Sequence, residues 1–154
     1  MLTRNSVSCT EGVTLVILDN APSSMEFVAH VFEQLSNADI NVDMISQNPP
    51  TGEVSSVSFS ISDDSLAAAL KVISELRKTY TQIKPYISSN NCKILISDEE
   101  MRHEPGVAAK VFRITADAGV DIRLITTSET EISLLVTKSD TEILLNALNK
   151  LLAD

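Results

Sequence analysis

One stretch of this chain occurs twice. FVAHVFEQLSNADINVDMISQN (Phe27 to Asn48) lies over GVAAKVFRITADAGVDIRLITTSE (Gly106 to Glu129). Val31 falls on Val111, Phe32 on Phe112, Ala38 on Ala118, Val42 on Ile122 and Ile45 on Ile125, always 80 positions apart. Further on, Ser62-Asp63 falls on Ser139-Asp140 at a separation of 77, so the second copy is three residues shorter there. Two long copies mean two similar modules, because a solenoid repeats shorter units several times. The 154 residues suffice for two small domains of one kind.

Hydrophobic periodicity predicts the same order of elements in each copy. In the first, GVTLVIL (Gly12 to Leu18) reads as a buried strand. Val28, Val31, Phe32 and Leu35 recur at helical spacing and define one apolar face. INVDMISQ follows as a strand and PPTG (Pro49 to Gly52) as a turn. Val57, Phe59 and Ile61 alternate with Ser58, Ser60 and Ser62, which predicts a strand with one wet face. Asp63 or Asp64 is expected to cap a helix whose Leu66, Ala69, Leu70 and Ile73 point inward. QIKPYIS (Gln82 to Ser88) closes the module, and Pro85 places it at an edge, since proline donates nothing to a ladder. The order β-α-β-β-α-β is the ferredoxin-like arrangement.

The second copy supplies CKILIS, a helix from Pro105, DIRLITTS, EISLLVT and a helix from Asp140, with no fourth strand after it. A sheet lacking that strand would expose unpaired backbone groups. NSVSC (Asn5 to Cys9) is the spare strand-like piece. The expected organisation is therefore residues 1–11 as a strand joining the second module, 12–89 as the first module and 90–154 as the second. The fold class is α+β: antiparallel sheets with helices on one face, and the first module inserted into the second. This brings Cys9 near Cys92, as free thiols in a packed sheet.

Bulk properties exclude several functions. The net charge of −9 repels nucleic-acid backbones and anionic lipid, so neither partner is expected. No run approaches the roughly 20 apolar residues of a membrane helix, and the start carries no secretory pattern. Two widely spaced cysteines without a CxxC motif suit a reduced, cytoplasmic setting. His30 and His103 lie on separate modules, and no Ser/His/Asp spacing or metal-ligand cluster occurs. Catalytic residues, metals and cofactors are therefore not expected.

The repeat also carries a resemblance. GVAAKVF…ADAGVDIRLITTSETEISLLV resembles the second regulatory module of aspartokinases, of the ACT-domain family, and NADINVDMISQN with SVSFSI resembles the first. The similarity runs from about Gly12 to Leu152. It implies paired modules that bind amino-acid end products, lysine or threonine above all, with effectors at the interfaces of a homodimer. It also implies a kinase domain or catalytic subunit as partner, which phosphorylates aspartate and which this sequence lacks. The alternatives are a free-standing amino-acid sensor and a ligand-free dimerisation scaffold.

On this reading the effector sits where a helix start meets a polar strand end. Pro105 and Gly106 open the second helix, with Val107 behind them. Proline suits a helix start, glycine lets a ligand approach the backbone, and bare N–H groups at the positive dipole end favour a carboxylate. The ammonium group needs carbonyls or a carboxylate, which Asp121, Ile122, Thr127, Ser128 and Glu129 offer. In the first module the family's Asp-x-Pro-Gly is replaced by APSSMEF (Ala21 to Phe27), so that Ser24 stands for the proline and Met25 for the glycine, followed by Glu26. Its strand keeps Asn41, Val42, Asp43 and Gln47; in the family the residue at Gln47 contacts the effector. A further departure is SDEEM (Ser97 to Met101), where the family tends to have a glycine-rich loop. The added carboxylates fit a cationic effector such as lysine, or a site that no longer binds.

Overall fold

The computed structural model describes residues 6–153. Six strands and four helices follow in the order β1 (Ser6–Pro22), α1 (Met25–Asn37), β2 (Ile45–Gln47), β3 (Val54–Ser62), α2 (Leu66–Thr79), β4 (Lys84–Ser97), α3 (Val107–Asp117), β5 (Leu124–Thr127), β6 (Glu131–Thr137) and α4 (Lys138–Ala153). Single 3-10 turns at Asp63–Ser65 and Glu99–Arg102 precede α2 and α3. The chain forms two compact units: residues 12–89, and residues 6–11 together with 90–153.

Strands of the 12–89 unit are ordered β2-β3-β1-β4, and both β1 and β2 pair antiparallel with β3. Val16 and Ile45 flank Phe59 from opposite sides, and Leu18 and Gln47 flank Val57. Alternation along β1 and β3 sends Val16, Leu18, Phe59 and Ile61 to one face, where they pack with Phe27, Val31 and Leu35 of α1. The Phe32 and Phe59 rings meet edge-on at 5.6 Å, and Phe27 and Tyr80 at 4.8 Å. Pro85 sits in the stretch of β4 that lies outside the ladder with β6, which covers only Asn91 to Ser97.

The structure departs from three local expectations. The buried stripe of α2 is Ala69, Val72, Ile73 and Leu76, which is a true i, i+3, i+4, i+7 face, whereas Leu66 is half-buried and Leu70 is 46% exposed. Neither Asp63 nor Asp64 caps α2. Ser62 Oγ accepts from the Asp64 N–H at 3.3 Å and opens the 3-10 turn. The Asp63 carboxylate instead accepts from Thr14 Oγ1 at 2.6 Å, satisfying a hydroxyl with no exposure to water. Ser60 is not on a wet face: it is buried, and its Oγ accepts from the Met44 N–H at 2.9 Å.

The other unit repeats the plan with strand order β1-β4-β6-β5. Cys92, Ile94 and Ile96 of β4 and Ile132, Leu134 and Val136 of β6 form its core with Val111 of α3 and Leu144 and Leu148 of α4. Val7, near the start of β1, packs against the same cluster. The last helix begins at Lys138, two residues ahead of the expected Asp140. Each unit is thus a βαββαβ module of antiparallel strands, and one is inserted into the other.

Candidate functional site

The two helix tips differ in how they are finished. At α1 the cap is Ser24, extended at φ −81° and ψ 146°, and its Oγ accepts from the Phe27 N–H at 3.3 Å. A serine cap removes one of the bare donors that a ligand carboxylate would use. Met25 stands beside it, 66% exposed, and Glu26 is also exposed. The tip is tied to the β2–β3 turn by the Ser23 N–H, which donates to the Glu53 carbonyl at 3.1 Å.

At α3 the helix begins at Val107 rather than at Pro105, and Gly106 is the cap, at φ 110° and ψ −8°. No side chain caps this end. A methyl group built on Gly106 would meet nothing within 4 Å, so the approach to the backbone is open. Aligned by their caps, Ser24 takes the place of Gly106, and not of the proline as expected. The reason is length: α1 has 13 residues and α3 has 11, and the additional turn segment lies at the N-terminal end.

The strand residues divide between the two ends of each module. Gln47 lies in the row of Val57 and Leu18, toward the end where β1 leads into α1. Asn41, Val42 and Asp43 lie at the opposite end: the Asp43 N–H donates to the Ser60 carbonyl, and Ser60 faces Leu15. Four residues at about 3.3 Å each separate Asp43 from Gln47 by up to roughly 13 Å. The second module behaves alike. Thr127 lies in the row of Ile132 and Ile96, at the α3 tip end, with Ser128 and Glu129 beyond it. Asp121 and Ile122 precede Arg123, whose N–H donates to the Leu135 carbonyl at the other end. Within one module, then, the tip shares an end with Gln47, or with Thr127, Ser128 and Glu129, and not with the remaining expected residues.

The SDEEM loop has a structural part that its residue types did not announce. Asp98 is buried at 6% exposure, its Oδ1 accepts from the Glu100 N–H at 2.9 Å, and its own N–H donates to the Thr130 carbonyl at 2.9 Å. The loop is thereby fastened to the β5–β6 turn. Arg102 stands 3.7 Å from Glu129 and 3.8 Å from Glu99. These pairs are exposed and individually weak, but they place a cation between the 3-10 turn that precedes α3 and the β5–β6 turn. The signal for Asp98 was legible in principle, since an Asp followed two residues later by a helical turn is a common cap.

Two clefts in the 12–89 unit are lined by none of the expected site residues. The larger, of about 350 Å³, lies between Asn20, Glu53 and the α2 end at Tyr80. The smaller, of about 290 Å³, includes Asp19, Asn48 and Lys84. Among the described residues, no group of three or more His, Cys, Asp or Glu side chains could hold a metal ion, and no helix is long and apolar enough to cross a membrane.

Comparison with known proteins gives these tips their context. The aspartokinase of Geobacillus stearothermophilus is 35% identical over 130 residues, 84% of this chain. The chain spans about a third of the length of that relative, 31%. The ligand-free regulatory subunit of aspartate kinase from Thermus thermophilus is 27% identical, with 94% of this chain and 95% of that one covered at a TM-score of 0.82. Escherichia coli aspartokinase III in complex with lysine and aspartate shares the fold at a TM-score of 0.75 and 24% identity, covering 97% of this chain and 33% of that one. The ACT domain model matches twice, at residues 19–76 and 94–152. With most of its length accounted for by two such matches, the chain belongs to the ACT domain family.

Proposed function

We propose that this chain is an amino-acid-binding regulatory module of an aspartate kinase, through which lysine or threonine exerts feedback control. The observation that carries the proposal is the α3 tip, where Gly106 caps without a side chain and leaves the backbone open. A carboxylate placed there meets N–H groups at the positive end of the helix dipole. Ser128 and Glu129 lie at the same end for the ammonium group. Glu129 shares its charge with Arg102. The residues at the opposite end, Asp121 and Ile122, and in the first module Asn41, Val42 and Asp43, then serve a tip other than their own module's. That arrangement is met in a homodimer whose modules lie side by side. An effector that binds one dimer arrangement better shifts activity in an attached or partner kinase, with a coupling of about 1–3 kcal/mol.

The test is calorimetric titration with lysine, threonine and methionine, paired with thermal melts. A saturable heat and a raised melting temperature with at least one of them are expected. Silence from all three at millimolar concentration overturns the proposal.

One observation favours a different role for the first module. Ser24 caps its own helix and Met25, the first residue of that helix, is exposed, so this end fits a dimerisation scaffold better than a binding site. Light scattering with and without amino acids separates the two, because a scaffold associates in their absence and does not respond to them.

A further inference from the structure

Cys9 and Cys92 are the chain's two cysteines, and both belong to the unit formed by residues 6–11 and 90–153. They lie on neighbouring strands, β1 and β4. Val7 packs against the core cluster that contains Cys92, and a residue two positions along a strand points to the same face, so Cys9 shares that face. The two thiols are within hydrogen-bonding reach of each other, and the spacing of adjacent strands, about 4.7–5.5 Å between facing Cα atoms, falls within the range a disulfide spans. Cys9 is exposed and Cys92 is 1% exposed, and both are reduced thiols.

We propose that Cys9 and Cys92 are a built-in oxidisable dithiol, which a small-molecule disulfide converts to an intramolecular cross-link between β1 and β4. Exposed Cys9 is the attacking thiol. Its thiolate displaces one half of a disulfide such as oxidised glutathione, forming a mixed disulfide and releasing one thiolate. Cys92, beneath it, then attacks the Cys9 sulfur and releases the second half. Two protein thiols lose two electrons, the reagent's S–S bond takes them up, and the two thiol protons pass to the two released thiols. Burial raises the Cys9 pKa above that of an ordinary thiol, with Cys92 and then Glu11 adding to the effect. The first step is therefore slow at neutral pH and quickens toward pH 9. The cross-link encloses the whole first module as a loop and removes freedom from the unfolded chain.

The full chain, reduced and desalted, is incubated with excess oxidised glutathione at two pH values, then acid-quenched, alkylated and weighed. The expected product is a monomer lighter by two hydrogens, with the Cys9 and Cys92 peptides joined after digestion. It should form faster at the higher pH and melt roughly 5 °C or more above the reduced form. Cys9→Ser should leave Cys92 unmodified under the same conditions, and Cys92→Ala should hold glutathione on Cys9. A lasting glutathione adduct on Cys9 in the unaltered protein, a disulfide-linked dimer, or two thiols still free each overturn the proposal. Cys9 lies at an exposed position, so the Cys9→Ser arm stands even if Cys92→Ala fails to fold.

Discussion

Phe59→Ala is expected to remove about 3–5 kcal/mol of stability, against a total of roughly 5–15 kcal/mol for a typical domain. Phe59 is fully buried at the middle of β3, with Val16 and Ile45 on its flanking strands. Its ring meets that of Phe32 edge-on. Truncation leaves a cavity between sheet and helix and strands Phe32 without its partner. Phe112 is the matching control: it occupies the repeat position of Phe32 but is 38% exposed, so Phe112→Ala should cost far less. Urea denaturation followed by circular dichroism measures both. A Phe59→Ala midpoint close to that of the parent would contradict this account of the core.

Gly106→Ala should cost about 1–3 kcal/mol and weaken effector binding at the same time. The added methyl group meets no atom, so steric crowding plays no part and the penalty is the backbone's alone. At φ 110° the residue lies well outside the left-handed region that Asn and Asp tolerate. Asn20 at 51°, Asp39 at 59° and Asn90 at 60° illustrate that milder case. The substituted tip relieves strain by turning, which redirects the N–H groups that a carboxylate would meet. Gly119, at φ 69°, is the control: Gly119→Ala carries a smaller penalty, of about 1–2 kcal/mol, and should leave binding unchanged. Thermal melts and amino-acid titration of the two variants check both halves. An alanine at 106 that melts and binds like the parent would show that the tip's geometry is not what the ligand uses.

The repeat and its two periodicities made the fold legible, because a period of 3.6 or 2 survives any detail of packing. Phase was harder. Leu66, Ala69, Leu70 and Ile73 have helical spacing, but Val72 and Leu76 supply an equally good face with Ala69 and Ile73, and that is the face α2 buries. Ser60 reads as a solvent-facing serine because a strand reveals its own alternation but not the donor that a neighbouring segment brings to it, here the Met44 N–H. Asp63 reads as a cap, but a buried hydroxyl on a distant strand, Thr14, claims its carboxylate.

The candidate site was legible as residue types and not as places. Asp43 and Gln47 read as one polar set because they are close in sequence, yet Asp43 lies ahead of β2 beside Ser60 and Gln47 ends β2 beside Val57, toward opposite ends of the module. Asp98 looked like added charge at an opening, and its carboxylate is instead spent on the Glu100 N–H. No spacing rule distinguishes a carboxylate that waits for a guest from one already engaged by its own backbone.

The interleaving of the two modules has a consequence for dissection of the gene. Strands β1 and β4 run past the borders of residues 12–89, yet those residues form one compact unit by themselves. Residues 90–154 do not, since the edge next to β4 in their sheet is supplied by the other side of the insertion. A cut after Ser89 divides β4 and leaves the second piece with a raw border, which a short peptide carrying Ser6 to Glu11 would complement.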